Sequence, residues 1–128
     1  MHDPWNPSPD EIREWAYDAD ALAPCEDFDL ALQWTRHEKA LFECASDGRC
    51  PKQDFFLRVL YLIVGDAART GYRSTPLPIV EGFIKRGDEY RNPAIQTWQH
   101  RSRELIKNPK HFEYEAWCAG GLVRNDRS

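Results

Sequence analysis

Apolar residues recur along most of this chain at intervals of three and four positions, the spacing of helices that bury one face. No segment alternates apolar and polar residues as a half-buried strand does, and no Asn-Gly pair marks a tight hairpin. The pattern, with its prolines and glycines, predicts helices over 9–17, 27 or 28 to 47, 51–70, 76–86 and 93–107, and further turns over 109–117. The predicted fold class is therefore all-α, a single compact bundle of five or six helices.

The segment 51–70 is predicted to be the central helix of this bundle. Its apolar residues cover roughly 260° of the circumference and comprise Phe55, Phe56, Leu57, Val59, Leu60, Leu62, Ile63, Val64, Ala67 and Ala68. Asp54, Arg58, Gly65 and Arg69 form the narrow stripe that remains. Glycine inside a helix costs about 1 kcal/mol relative to alanine, so we expect Gly65 to permit a close contact.

Five prolines follow a residue that can serve as a helix N-cap, which places each proline at the first helical position. The pairs are Ser8-Pro9, Cys50-Pro51, Thr75-Pro76, Asn92-Pro93 and Asn108-Pro109, and Glu11 completes a capping box with Ser8. Gly48, Gly71, Gly87 and Gly120 are expected just beyond helix ends, in a left-handed conformation. These boundaries predict one helical domain over 1–128, with residues 1–8 as an N-terminal arm.

Length and composition are those of a globular domain, with 128 residues of which 41% are hydrophobic and 30% charged. The net charge of −4 is unevenly distributed, because residues 1–29 contain nine acids and one base, a net charge of −8. The acidic segment either folds over the chain's own basic face or leaves one of the two for a partner.

The beginning of the chain lacks the basic and apolar regions of a secretory signal. The longest apolar run, 55–64, is interrupted by Arg58 and is about half as long as a membrane span. We therefore expect a cytoplasmic protein with no membrane segment. In that compartment Cys25, Cys44, Cys50 and Cys118 are expected to be free thiols and small buried side chains.

No catalytic, metal-binding or phosphate-binding motif stands out, and we expect no metal and no cofactor. His37, Cys44 and Cys50 have none of the tight spacings of structural zinc sites, so a packed histidine is expected. Asp66 is the foremost candidate for chemistry, because a carboxylate at the edge of an apolar face needs a base to compensate its charge.

The favoured interpretation of Asp66 is a structural ion pair with Arg69, with Arg73 or with an arginine on a neighbouring helix. In the alternative, Asp66 and Arg69 line a pocket beside the central helix, with Arg58 or His100, that takes a small molecule or an enzyme substrate.

The predicted helix 93–107 carries the most suggestive surface. Gln96, His100, Arg103 and Lys107, hereafter the basic stripe, fall within an arc of about 60°. Three interpretations of the stripe are open. It is a solvated face, it contacts a protein or the acidic N-terminal segment, or it contacts nucleic acid. Nucleic acid is least favoured, since the chain has no basic excess. Trp5 either pins the N-terminal arm into a groove, which we favour, or is an exposed anchor for a partner.

Three stretches, PWNPSPDEIREWAYD at 4–18, FFLRVLYLIVGDAARTG at 55–71 and FEYEAWCAGGL at 112–122, resemble a small bacterial family of uncharacterised helical proteins. The resemblance implies an all-helical cytoplasmic domain and brings no activity or catalytic residue. The leading hypothesis from the sequence is an interaction module, rather than an enzyme, that binds a protein partner or a second copy of itself. The alternatives are the small-molecule pocket and, more weakly, nucleic-acid binding through the basic stripe.

Overall fold

The computed structural model describes residues 3–26, 28–32 and 37–109, together with 113, 114 and 117. These residues form helices and turns and include no strand, so the all-α prediction is confirmed. The helices are α1 (Pro9–Ala16), α2 (Phe28–Ala31), α3 (Glu38–Ser46), α4 (Gln53–Arg69), α5 (Leu77–Arg86) and α6 (Pro93–Lys107), with one turn of 3-10 helix over Gly87–Tyr90. They pack as a compact bundle.

Helix α4 is the central helix, as predicted, and packs against α2, α3, α5 and α6. It buries Phe56, every residue from Val59 to Gly65, and Ala67. Full burial of a large apolar side chain contributes roughly 1.5–3 kcal/mol, so α4 is the main anchor of the fold. Among the described residues no helix combines the length and the apolar character that crossing a bilayer requires.

One group of aromatic rings joins α1 and α2 to the first turns of α4. Trp15 lies edge-on to Phe28, Phe55 and Phe56, with ring centroids 4.8, 5.0 and 6.0 Å away. The Trp15 indole N–H donates to the Leu22 carbonyl at 2.9 Å, which satisfies its polar group.

A second aromatic group joins α3, α5 and α6. Phe42, Phe83 and Trp98 meet at centroid distances of 5.1 to 5.6 Å. Beside them the buried amide of Gln99 donates from Nε2 to the Ile84 carbonyl at 2.8 Å and to Asp88 Oδ1 at 2.9 Å. Gln99 therefore ties α6 to the end of α5.

Two of the predicted N-caps are confirmed. Ser8 Oγ accepts from the Glu11 N–H at 3.1 Å, and Glu11 Oε1 accepts from the Ser8 N–H at 2.9 Å, which completes the capping box before α1. Before α6, Asn92 Oδ1 accepts from the backbone N–H groups of Ala94 and Ile95 at 2.8 and 3.4 Å. Both helix starts follow from an oxygen acceptor followed by proline.

Helices α4 and α5 begin later than predicted. Cys50 lacks an oxygen acceptor and its backbone closes turns with Asp47 and Gln53, so α4 begins at Gln53 rather than at Pro51. Pro76 is itself the N-cap residue of α5, with an extended backbone at φ −57° and ψ 146°. Asn108 is the C-cap of α6, and the predicted helix beyond it lies mostly outside the described residues.

The glycine prediction is confirmed at one of the helix ends. Gly71 follows α4 at φ 64°, and the N–H groups of Gly71 and Tyr72 donate to the carbonyls of Ala68 and Ala67 at 3.0 and 2.7 Å. This is the double hydrogen bond of a Schellman motif. Gly87 instead continues the helical turn at φ −60°, and the left-handed residue that ends it is Arg91 at φ 34°. Gly120 lies outside the described residues.

The single helix predicted from 27 or 28 to 47 is wrong in its extent. The described residues contain α2, which ends at Ala31, and α3, which begins at Glu38 with His37 as its N-cap residue. Residues 33–36 between them lie outside the described residues. No proline or glycine in this segment signals a boundary.

Candidate functional site

One face of α6 packs against the bundle, and the opposite face is exposed. Ile95 and Trp98 are fully buried and Leu105 nearly so, against α3, α4 and α5. The start of the helix is also fixed, because Asn92 Nδ2 donates to the Ser46 carbonyl at 2.7 Å. The outer face of α6 is therefore presented on a rigid element.

The basic stripe occupies this outer face, and Gln96, His100, Arg103 and Lys107 are all exposed. Steps of four, three and four residues keep the side chains on one side of the helix, over a length of about 16 Å. Within the part of the chain that the structure describes, none of these four side chains makes a hydrogen bond or an ion pair. The stripe is thus a row of available polar and cationic groups.

Three arginines elsewhere are engaged. Arg13 Nε lies 2.9 Å from Glu43 Oε2, and this hydrogen bond raises the pKa of Arg13. Arg69 is paired with Asp66, and Arg86 donates to Glu38. The stripe differs from these ion pairs because its two permanent cations, Arg103 and Lys107, form no ion pair within the described residues.

The acidic N-terminal segment does not cover the stripe of its own copy. Helix α1 packs on α3, whereas α6 packs on α4, α3 and α5. Glu14, Asp18 and Asp20 are exposed. Within the described residues, the acidic segment therefore does not fold over the chain's own basic stripe, and that one of the two expected arrangements is wrong.

Trp5 does not pin the N-terminal arm, and the favoured interpretation is wrong on this point. Its side chain is 53% exposed, because the backbone turns back through Asn6 N–H to the Asp3 carbonyl and Trp5 N–H to Asp3 Oδ1, both at 3.0 Å. Pro7 is the buried residue of this turn. Trp5 is therefore positioned as an exposed aromatic ring beside acidic residues.

Sequence reasoning missed two further exposed apolar side chains after α1. Leu22 is 88% exposed and Tyr17 is 46% exposed. A signal was present for Leu22, since it stands between alanines and before Pro24, in a segment with no helical periodicity.

Asp66 forms the structural ion pair that was the favoured expectation. Asp66 Oδ1 lies 2.5 Å from Arg69 Nη2, and 23% of the Asp66 side chain is exposed. The hydrogen bond to Asp66 raises the pKa of Arg69, whose guanidinium also lies over the Tyr114 ring at 5.2 Å. The carboxylate is already compensated by a base.

The other residues of the predicted pocket are not assembled around this pair. Arg58 is exposed on α4 about 12 Å before Asp66 along the helix axis, and His100 belongs to the outer face of α6. An open depression of about 630 Å³ lies instead just past the end of α4. Its lining residues are Arg69, Thr70, Gly71, Arg73 and Ser74, so of the four predicted candidates only Arg69 contributes to it.

The close contact expected at Gly65 is confirmed, and its partner is the side chain of Trp117. The Trp117 indole N–H donates to the Tyr61 carbonyl at 2.6 Å. Part of the polar stripe of α4 is therefore covered by the C-terminal part of the same chain.

The thiols and the histidine on α3 belong to the core. Cys44 is fully buried, and burial, together with the neighbouring Cys50 thiol, raises the pKa of Cys44 to about 12. His37 is 5% exposed. Among the described residues no three His, Cys, Asp or Glu side chains are grouped so that they could hold a metal ion.

In comparisons with protein families, curated proteins and solved structures, nothing matches this chain. The resemblance to a helical bacterial family stays a prediction, and the functional argument proceeds from the geometry of the surface.

Proposed function

We propose that this protein is an interaction module that binds an acidic segment of a protein partner through the basic stripe of α6. The observation that carries the proposal is the exposure of Gln96, His100, Arg103 and Lys107 on a helix anchored by its opposite face, with none of the four engaged within the described residues. Because the backbone of α6 is already fixed, binding costs only the conformational freedom of the side chains that are immobilised.

The energy of exposed ion pairs indicates what the stripe contributes to binding. An exposed ion pair contributes about 0.2–1 kcal/mol, so the stripe supplies orientation and a salt-dependent association rate more than affinity. The partner is therefore expected to add apolar contacts to its acidic residues.

A protein fits the stripe better than a nucleic acid does. DNA-binding surfaces with strong salt dependence neutralise about 6–10 phosphates, whereas this face offers two permanent cations and His100.

The test is a binding titration with a fluorescently labelled synthetic peptide of alternating glutamate and serine that contains one tryptophan, followed by anisotropy. Loss of two exposed ion pairs in Arg103→Ala/Lys107→Ala should weaken binding about ten-fold. The matched control Arg58→Ala/Lys85→Ala removes two other exposed cations and should bind like the wild type. Equal binding by both double variants, or retention of duplex DNA in place of the peptide, would refute the proposal.

We also propose that the protein is cytoplasmic and that it is not an enzyme. Cys25, Cys44 and Cys50 are free thiols, which persist in reducing compartments. The Asp66–Arg69 pair is compensated internally, which supports a structural role for Asp66 rather than a catalytic one.

A second candidate function is the binding of a small anionic molecule in the depression beyond α4. The observation in its favour is that Arg73 lines the depression together with Thr70, Ser74 and Arg69, although the guanidinium of Arg69 is already paired with Asp66. The C-terminus of α4 carries partial negative charge, so these arginines would have to supply the attraction.

A thermal-shift assay with inorganic phosphate and citrate tests this second candidate. Binding to the folded state alone raises the melting temperature. Arg73→Ala should abolish that rise and Arg58→Ala should preserve it. No rise in the wild type, or the same rise in both variants, would remove the candidate.

A further inference from the structure

We infer that the acidic segment recognised by the basic stripe belongs to a second copy of this chain, so that the protein self-associates head to tail. This inference rests on the proposed function and names its partner. The groups of the second copy that we assign to this contact are exposed residues of its acidic segment, namely Trp5, Glu14, Asp18, Asp20, Leu22 and Glu26, hereafter the acidic surface.

The acidic surface has uncompensated charge. Residues 1–29 carry nine acids and one base, and that base, Arg13, is engaged with Glu43 at 2.9 Å and Asp10 at 3.4 Å. Lys52 approaches the end of α1, but its Nζ donates to the backbone carbonyls of Trp15 and Asp18 rather than to a carboxylate. The exposed carboxylates of Glu14, Asp20 and Glu26 have no ion pair within the described residues.

The acidic surface also carries the apolar groups that the stripe lacks. Trp5 is 53% exposed and Leu22 is 88% exposed. Tryptophan is enriched among the residues that dominate binding energy, and its ring face attracts a guanidinium such as that of Arg103. The stripe therefore offers cations, and the acidic surface offers carboxylates together with an aromatic ring and an aliphatic side chain.

One copy cannot join these two surfaces, because α1 packs on α3 and α6 lies against α4 with its stripe outward. Two copies can join them, and in the head-to-tail contact that we propose one stripe and one acidic surface are left unused. Such a heterologous contact propagates into a chain of copies or closes into a ring.

The experiment is sedimentation velocity of the full chain over a concentration series, at about 0.01 M and about 1 M NaCl, where the Debye length falls from about 30 Å to about 3 Å. At low salt the mean mass should rise with concentration beyond that of a dimer, and at high salt the protein should sediment as a monomer. Arg103→Glu/Lys107→Glu and Glu14→Lys/Asp20→Lys should each be monomeric at low salt.

An equimolar mixture of those two variants tests the pairing itself. The reversed stripe is acidic like the acidic surface, and the four charged side chains of the altered acidic surface sum to zero, so neither variant associates alone. The mixture brings the unaltered stripe of one variant to the unaltered acidic surface of the other and should give a heterodimer of defined mass. The control Arg58→Glu/Lys85→Glu changes net charge by the same amount as the stripe reversal and should associate like the wild type. Circular dichroism confirms that each variant is folded.

Monomeric wild type under all conditions, or association that survives the stripe reversal or 1 M salt, would overturn self-association. These results would leave the proposed function standing if the monomer still binds the acidic peptide through the stripe. The proposed function is overturned only by the peptide titration described above.

Discussion

The indole ring of Trp117 lies against Gly65 so closely that a β-carbon on residue 65 would stand 2.9 Å from the indole nitrogen. The same nitrogen donates to the Tyr61 carbonyl one turn earlier on α4, at 2.6 Å. A single side chain near the end of the chain is thus seated on the central helix at its one interior glycine.

Gly65→Ala should therefore destabilise the protein, by about 1–3 kcal/mol, because the added methyl overpacks the contact with Trp117. Alanine is the better helix former by about 1 kcal/mol, so the same substitution should stabilise a protein that already carries Trp117→Ala. Gly82→Ala in α5 is the matched control, since its β-carbon would meet only the flexible end of Arg86, and it should stabilise slightly. Urea denaturation of the four variants checks this. If Gly65→Ala destabilised both the wild type and the Trp117→Ala variant, the contact between residue 65 and Trp117 would be contradicted.

Gly71→Ala should destabilise by about 1–2 kcal/mol although there is open space around residue 71. The reason is conformational, because Gly71 has φ 64° and alanine resists the left-handed region. Gly48 is equally open but lacks a positive φ, so Gly48→Ala should be close to neutral. Equal effects of the two substitutions in thermal unfolding would refute this explanation.

Gln99→Leu should destabilise by about 1–3 kcal/mol, because it removes a buried donor shared by the Ile84 carbonyl and Asp88. Because these hydrogen bonds link α6 to the end of α5, their loss should also loosen α6 more than the other helices. Hydrogen exchange should accelerate at the start of α6 more than in α4. A uniform change in both helices would show that Gln99 does not tie α6 to α5.

Tyr17 Oη donates to Asp47 Oδ2 at 2.6 Å, which lowers the pKa of Asp47 below its ordinary 3.8 and raises the pKa of Tyr17. A lowered carboxyl pKa in the folded state contributes stability above its unfolded value, and this contribution is lost as the pH falls through the folded value. Tyr17→Phe should lower the melting temperature at neutral pH, and the difference from wild type should shrink on acidification. In NMR titrations the pKa of Asp47 should return toward 3.8 in the variant. An unchanged Asp47 pKa would contradict the hydrogen bond.

The buried thiols should be slow to react. Burial raises the pKa of Cys44 to about 12, so little thiolate exists at neutral pH, whereas Cys25 is partly exposed. Alkylation mapped by mass spectrometry should modify Cys25 before Cys44 in the folded protein and both at similar rates in denaturant. Equal rates in the folded protein would show that α3 opens readily.

Much of the fold was accessible from the sequence, because α4 is apolar around most of its circumference and because Ser8 and Asn92 supply oxygen acceptors at helix starts. The end of α2 at Ala31 and the start of α3 at Glu38 were not accessible, since no proline or glycine marks either boundary. The ion pair of Asp66 with Arg69 follows from their spacing of three on one helix. The exposure of Trp5 depends on a turn through Asp3, and the placement of Trp117 over Gly65 depends on a long-range contact that no local pattern encodes.

The most direct test of the central claim is a backbone NMR titration of the full isotope-labelled chain, in its monomeric Glu14→Lys/Asp20→Lys form, with the unlabelled glutamate-rich peptide. The account predicts that the amide shifts of Gln96, His100, Arg103 and Lys107 change together and that those changes vanish at high salt. Changes centred on residues 69–74, or none at any residue of α6, would contradict it.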